Sequence, residues 1–182
     1  MQQIPLMDVD DLAPDLRTMV ERWAELEDGD PNFIRTLANA PDMLRRFVPF
    51  YSPMVRKGVV EHRTKELARI NIAEHNQCRY CMATRYGSGR RSGIDEALVA
   101  QLADYEHGPF TERERAALAL SDALVLDPTD LREAVVERVR RHFNPDEALE
   151  LVWAISMWIE TGRLFAAAEV PYGAEAVAGR AS

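Results

Sequence analysis

Cys78 and Cys81 are the only two cysteines in a chain of 182 residues, and they stand as Cys-x-x-Cys. On a helix this spacing puts both sulfurs on one face, close enough to bond if the pair lies near the helix start. Asn76 is suited to cap a helix that restarts there, which would set Cys78 in its first turn. Unpaired backbone N–H groups in that turn favour a thiolate. Arg79, Arg85, Arg90 and Arg91 follow closely and act in the same direction. The chemistry predicted is redox: a dithiol that cycles to a disulfide. Two buried, inert cysteines are the plainer alternative. Zinc is the other use of the spacing, but structural zinc usually takes four ligands, and the chain has no second Cys-x-x-Cys and no His-x-x-x-His. No metal and no bound cofactor is expected.

Three further side chains near the cysteines carry candidate roles. Glu66 is a candidate base, against the ordinary fate of a solvated helix glutamate. It precedes Cys78 by 12 positions, about 18 Å along a straight helix. It reaches the thiols only if the chain bends, and the polar run His75-Asn76-Gln77 is where a bend is expected. His75 is a candidate proton carrier, or else a surface or capping histidine. Tyr80 and Tyr86 would line a pocket or simply pack in the core. His62, His107 and His142 have no supporting constellation and read as surface residues.

The elements that position these groups read as helices throughout. Apolar spacing marks Ala13 to Leu26, with Pro14 in the first turn and Asp28-Gly-Asp-Pro31 as a stop. Short helices are expected over Pro31 to Asn39 and Pro41 to Val48, with Pro49 and Pro53 breaking or kinking the chain beyond Val48. Lys57-Gly58 reads as a helix end. His62 to Gly87 is helical in composition, a short helix carries Arg90 and Arg91, and another runs from Asp95 to Ala103. Thr111-Glu-Arg-Glu114 is a capping box opening a helix that ends at Asp127-Pro128. Leu131 to Phe143 is amphipathic. Asn144-Pro-Asp-Glu147 caps a long apolar helix through Ala168, closed by Pro171-Tyr-Gly173. No stretch alternates like a strand, and no linker divides the chain. The expectation is one all-α domain over 1–182, a bundle of seven to nine helices with a frayed tail at about 174–182.

Composition narrows the function classes. Hydrophobic residues make up 47% and charged residues 29% of the chain, which are globular values. A net charge of −8 argues against nucleic acid as the main partner. No apolar run is long enough to cross a membrane, and the segment from Met1 to Asp8 lacks a signal-peptide pattern. The expected setting is the cytoplasm, where paired cysteines serve redox or metal chemistry more often than structure.

The stretch from Glu66 to Arg85 resembles the carboxymuconolactone decarboxylase superfamily, specifically its alkylhydroperoxidase D-like branch. That branch carries Glu, eleven residues, Cys-x-x-Cys, three residues and His. Glu66, Cys78 and Cys81 fall on the first three positions. Arg85 stands where the histidine falls, and Tyr80 stands where many members carry another histidine. Asn39-Ala-Pro-Asp-Met-Leu-Arg-Arg-Phe resembles the upstream helix of the family, Arg91-Ser-Gly-Ile-Asp-Glu-Ala its continuation, and Phe110-Thr-Glu-Arg-Glu-Arg-Ala-Ala-Leu its next helix start. The resemblance covers roughly residues 33–172.

The resemblance implies an all-helical fold that assembles as a homo-oligomer, a trimer or hexamer. It implies a thiol peroxidase in which Cys81 attacks a hydroperoxide and becomes a sulfenic acid. Cys78 then resolves it to a redox-active Cys78–Cys81 disulfide, and a dithiol reductant restores the pair. Glu66 would be the base, acting through a relay. Arginine does not shuttle protons, so Arg85 would instead lower the thiol pKa or anchor Glu66 as an ion pair, and His75 would substitute as carrier. Two alternatives stay open: a cysteine-independent decarboxylase-like enzyme, and a non-catalytic oligomeric redox sensor or binding protein.

Overall fold

The helix that carries Glu66 is buried on every side although its sequence is not apolar. Ten consecutive residues, Thr64 to Ala73, are buried in α4 (His62–His75), and five of them are polar: Thr64, Lys65, Glu66, Arg69 and Asn71. A helix buried all round is usually hydrophobic all round. Here buried polar groups are tolerated because partners meet them. Asn71 donates to Ser121 Oγ at 3.1 Å and to Asp122 Oδ1 at 2.6 Å. Lys65 and Glu150 form an ion pair at 2.7 Å, and Glu66 and Arg69 another at 2.7 Å.

The computed structural model describes residues 4–26, 29–126 and 132–173. Ahead of α4 lie α1 (Pro14–Ala24), α2 (Asn32–Leu37) and α3 (Pro41–Arg56). After it come the short α5 (Arg79–Ala83), α6 (Gly87–Arg91) and α7 (Glu96–Val99), then a single 3-10 turn at Leu102–Asp104. The chain closes with α8 (Glu112–Leu126), α9 (Glu133–His142) and α10 (Pro145–Ala168). Among the described residues there is no strand. The all-α expectation holds, with ten helices among the described residues in place of seven to nine. Four of the ten have six residues or fewer, and such short turns carry too little periodicity to separate by eye.

The core lies between α4, α8 and α10, with α1 to α3 closing one side. Its largest cluster joins Leu16, Val20 and Trp23 of α1, Phe33 and Leu37 of α2, and Leu44, Tyr51 and Val55 of α3 to Leu151, Ile155, Trp158 and Phe165 of α10. A second cluster lies on the other flank of α4, where Leu67 and Ile70 meet Ile94, Val99, Leu102, Phe110 and Leu118.

One boundary differs plainly from the sequence reading. Pro49 and Pro53 do not end the third helix, since α3 runs through both as far as Arg56. Each interior proline removes a backbone donor and costs about 3 kcal/mol. Burial of Leu44, Tyr51 and Val55, spread along the whole length of α3, offsets that cost. The capping signals appear as expected. Thr111 Oγ1 accepts from the Glu114 N–H while Glu114 Oε2 accepts from the Thr111 N–H. Asn144 and Glu147 make the same reciprocal pair at α10. The expected stop at Asp127-Pro128, the start at Leu131, the positions Met1 and Asp28, and the tail over 174–182 lie outside the described residues.

Candidate active site

The cysteine pair is placed by a reversal of the chain. α4 ends at His75, Asn76 caps it, and Gln77 adopts a left-handed φ of 49°. Two hydrogen bonds from the Asn76 side chain, to the carbonyls of Trp158 and Ile159 at 3.4 and 3.2 Å, tie this turn to α10. The approach is close: a Cβ on Gly162 would lie 2.4 Å from Asn76 Nδ2. The bend expected at His75-Asn76-Gln77 is therefore present. Asn76, however, closes α4, and Cys78 itself caps the next helix, its sulfur accepting from the Cys81 N–H at 3.2 Å.

Cys78 and Cys81 form a disulfide with Cα atoms 5.2 Å apart. The two sulfur-bearing residues differ in access. Cys78 is fully buried, whereas Cys81 is partly exposed. Cys81 also lines a cavity of about 30 Å³, room for one or two water molecules. Phe33, Tyr51, Tyr80, Tyr86, Trp158 and Phe165 make its aromatic walls, and Arg69 is its charged member.

The reversal also brings the upstream carboxylate and the backbone carbonyl of Cys81 onto one guanidinium. Arg69 donates from Nε and Nη2 to the two Glu66 oxygens at 2.8 and 2.7 Å. It donates from Nη1 to the Cys81 carbonyl at 3.1 Å and from Nη2 to the Thr84 carbonyl at 2.9 Å. Arg69 and Glu66 are each almost wholly buried. The Tyr86 ring lies 5.3 Å from the Arg69 guanidinium and 5.6 Å from that of Arg56, so two cations share one aromatic ring. A Cβ on Gly89 would lie 3.1 Å from Glu66 Cγ, so α6 closes tightly on the carboxylate.

The electrostatics follow from this packing. Burial alone would lower the Arg69 pKa, but the charge and hydrogen bonds of Glu66 outweigh it, and the guanidinium titrates above its usual value. Burial pushes the phenols of Tyr51, Tyr80 and Tyr86 upward. These three rings therefore stay neutral at ordinary pH and serve as walls and hydrogen-bond groups rather than as bases.

Arg85 and His75 are placed elsewhere. The Arg85 Nε donates to Glu96 Oε1 at 2.8 Å, and Nη1 donates to the carbonyls of Met82 and Thr84. It does not anchor Glu66, because the chain leaves α5 at Thr84 in an extended conformation and the side chain turns to α7. Arg69, one helical turn from Glu66 on α4, has that place. His75 Nε2 pairs with Asp122 Oδ1 at 2.8 Å, and Asp122 also accepts from the Tyr105 hydroxyl at 2.8 Å. His75 is thus held on α8 and is not among the side chains that line the cavity. Tyr80 and Tyr86 do line it. Arg69, Tyr51 and Trp158 were not singled out by the sequence. Arg69 had one usable signal: the only charge, three residues from Glu66, on the mostly apolar stretch Leu67-Ala-Arg-Ile-Asn-Ile-Ala73.

No protein-family model matches the chain. An uncharacterized protein of Mycobacterium tuberculosis is 32% identical over 110 residues, 60% of this chain and 39% of that protein. The chain thus spans about two fifths of that relative's length. Among solved structures, an uncharacterized peroxidase-related protein of Ralstonia eutropha, described as an alkylhydroperoxidase AhpD core, superposes with a TM-score of 0.79 at 20% identity, covering 96% of this chain and 93% of that one. The debrominase Bmp8 superposes with a TM-score of 0.74 at 21% identity, covering 96% of this chain and 93% of its own. At these identities the likeness is one of fold. The neighbours include AhpD-like, peroxidase-related proteins of the carboxymuconolactone decarboxylase superfamily, and this chain has their fold.

Proposed function

We propose that the protein is a thiol-dependent peroxidase that reduces hydroperoxides through Cys78 and Cys81. The observation that carries this reading is the asymmetry of the pair. Cys81 lines a small cavity together with Arg69, while Cys78 is fully buried and within bonding distance. Cys81 is the sulfur that meets a peroxide, and Cys78 is the sulfur that meets the product.

In the first step the Cys81 thiol loses its proton, for which Glu66 is the proposed base, and the thiolate attacks one peroxide oxygen. An S–O bond forms and the O–O bond breaks. The sulfur is oxidised by two electrons, the peroxide is reduced by two, and the departing oxygen takes the proton back to leave as water or alcohol. Cys78 then attacks the sulfenic sulfur, forming the disulfide and releasing water. A dithiol reductant exchanges with the disulfide and closes the cycle. The reading requires no cofactor beyond the cysteine pair and places the reaction in the cytoplasm. Among the described residues no helix is long and apolar enough to cross a membrane. Self-association as a trimer or hexamer belongs to the same reading. Phe50 and Trp153, which stack edge to face at 5.5 Å and are each about half exposed, are apolar surface for it to cover.

The test is peroxide consumption with a dithiol reductant by wild type, Cys81→Ser and Cys78→Ser. Cys81→Ser is expected to fall to the uncatalysed rate. In the absence of reductant, Cys78→Ser is expected to reduce one equivalent of peroxide and stop as the sulfenic acid. Equal rates in wild type and Cys81→Ser would overturn the reading. Activity that survives loss of both cysteines would point to a decarboxylase-like enzyme, and reversible disulfide formation without turnover to a sensor. The fold likeness to a debrominase prompts a second reading, thiol-driven dehalogenation of a halogenated aromatic, for which the cavity of about 30 Å³ must open. Halide release with disulfide formation, absent peroxide, is its signature.

A further inference from the structure

A guanidinium has five N–H groups. In Arg69 four of them are engaged: two on Glu66, one on the Cys81 carbonyl and one on the Thr84 carbonyl. The fifth, on Nη1, has no acceptor among the described residues, and Arg69 lines the cavity that Cys81 opens on. A charged donor this deeply buried is costly to leave unmatched, and several neighbouring donors are already committed. Thr84 Oγ1 donates to the Tyr80 carbonyl, Thr161 Oγ1 to the Met157 carbonyl, and the Asn76 amide to α10.

Resting on the peroxidase reading, we propose that Arg69 is a catalytic residue whose free N–H binds the departing oxygen of the peroxide that Cys81 attacks. When sulfur bonds to the near oxygen, the O–O electron pair collapses onto the far oxygen, which becomes an alkoxide or hydroxide until it is protonated. A fixed cation on the same cavity as Cys81 stabilises that charge as it develops, and gains little from the neutral peroxide beforehand. Arg69 does not supply the proton, since arginine stays charged. The proton released by the Cys81 thiol returns to the departing oxygen from Glu66. Glu66 thereby has two roles: its two oxygens hold the guanidinium in place before the reaction, and it keeps the proton only until the far oxygen takes it. The site is built for a small ligand with an exposed oxygen acceptor, and hydrogen peroxide meets that description.

Two rates on the same reduced protein separate this role from a structural one. The first is single-turnover oxidation of Cys81 by hydrogen peroxide. The second is alkylation of Cys81 by iodoacetamide, which needs the same thiolate but expels iodide rather than an oxyanion. Arg69→Lys keeps a cation for Glu66 and removes the forked geometry. It is expected to slow oxidation by about a hundredfold and alkylation by less than about threefold. Equal slowing of both rates, or of neither, overturns the proposal. A neutral pair tests the same point should Arg69→Lys fail to fold, because replacing both members of a buried ion pair is better tolerated than breaking it. Glu66→Gln with Arg69→Met is expected to oxidise at least about tenfold more slowly than Glu66→Gln alone, and equal rates there also overturn it. If wild type itself reacts with peroxide no faster than free cysteine, the peroxidase reading falls and takes this proposal with it. A fast wild type with an undiminished Arg69→Lys removes this proposal alone.

Discussion

Lys65 and Glu66 are neighbours on α4, both buried and both ion-paired, yet their surroundings set them to different work. Lys65 Nζ has three donors, and all three are met: Glu150 Oε1 and the Met54 carbonyl at 2.7 Å each, and the Lys57 carbonyl. Glu150 in turn accepts from the Val59 and Val60 N–H groups at 2.8 and 3.2 Å. The pair locks the end of α3 and the turn before α4 onto α10, and leaves nothing over. The Glu66–Arg69 pair has the same charge and comparable burial, but Arg69 and Cys81 line a cavity beside it, and one donor is unmet. Burial and pairing alone do not distinguish a structural ion pair from a reactive one. In the function proposed above, the leftover valence does.

The largest effect expected from this contrast is on the structural side. Lys65→Ala strands the Glu150 carboxylate away from its partner and is expected to cost about 3–5 kcal/mol, roughly 10 °C in Tm for a chain of this size. The protein that remains folded should still oxidise Cys81 at the wild-type rate. A large loss of oxidation rate in folded Lys65→Ala would erase the distinction between the pairs. Lys65→Met with Glu150→Gln should recover much of the lost melting temperature, because no charge is then left alone.

Gly162→Ala probes the seam between scaffold and site. Its Cβ would displace Asn76, which holds the turn ahead of Cys78, so a cost of about 1–3 kcal/mol is expected. Oxidation of Cys81 should slow in the same variant, measured alongside its melting curve. Unlike Lys65→Ala, this change is expected to lower both quantities.

Peroxide size sharpens the reactive side. With a cavity of about 30 Å³, hydrogen peroxide should exceed cumene hydroperoxide in kcat/KM by about tenfold, the equivalent of roughly 1.4 kcal/mol of poor fit. A preference for the bulky peroxide would mean that the aromatic walls open in use.

Acid provides the smallest effect. Burial pushes the Glu150 carboxyl up, but Lys65 and the Val59 and Val60 N–H groups outweigh it, and its pKa is lowered in the folded state. A depressed pKa contributes stability above the unfolded value, about 4.3, and loses it as pH falls through the folded value. The stability difference between wild type and Glu150→Gln should therefore shrink below about pH 4.5 and hold steady above it. Urea melts across that range measure it.

The same contrast explains what could be read from the residues alone. Cys78, Cys81 and Glu66 were legible because their spacing is local and chemically unusual. The bend that returns Cys81 to the Glu66–Arg69 pair was legible too, since polar residues interrupt the apolar pattern at His75-Asn76-Gln77. Arg69 was not, because its significance depends on where the chain after Gln77 returns. Arg85 misled for the converse reason: it sits at the motif's spacing, but its side chain follows the extended exit of α5 toward Glu96. Pro49 and Pro53 signalled a break that α3 does not make, because core burial on both sides of them overrides the local cost.

The most direct test of the central claim is a titration of fully reduced protein with hydrogen peroxide, without reductant. Mass analysis would follow the Cys78–Cys81 disulfide against peroxide consumed. The proposed chemistry predicts one peroxide and one disulfide per chain, with turnover resuming only when a dithiol is added. Peroxide loss that proceeds without the disulfide, or at an unchanged rate in Cys81→Ser, would contradict it.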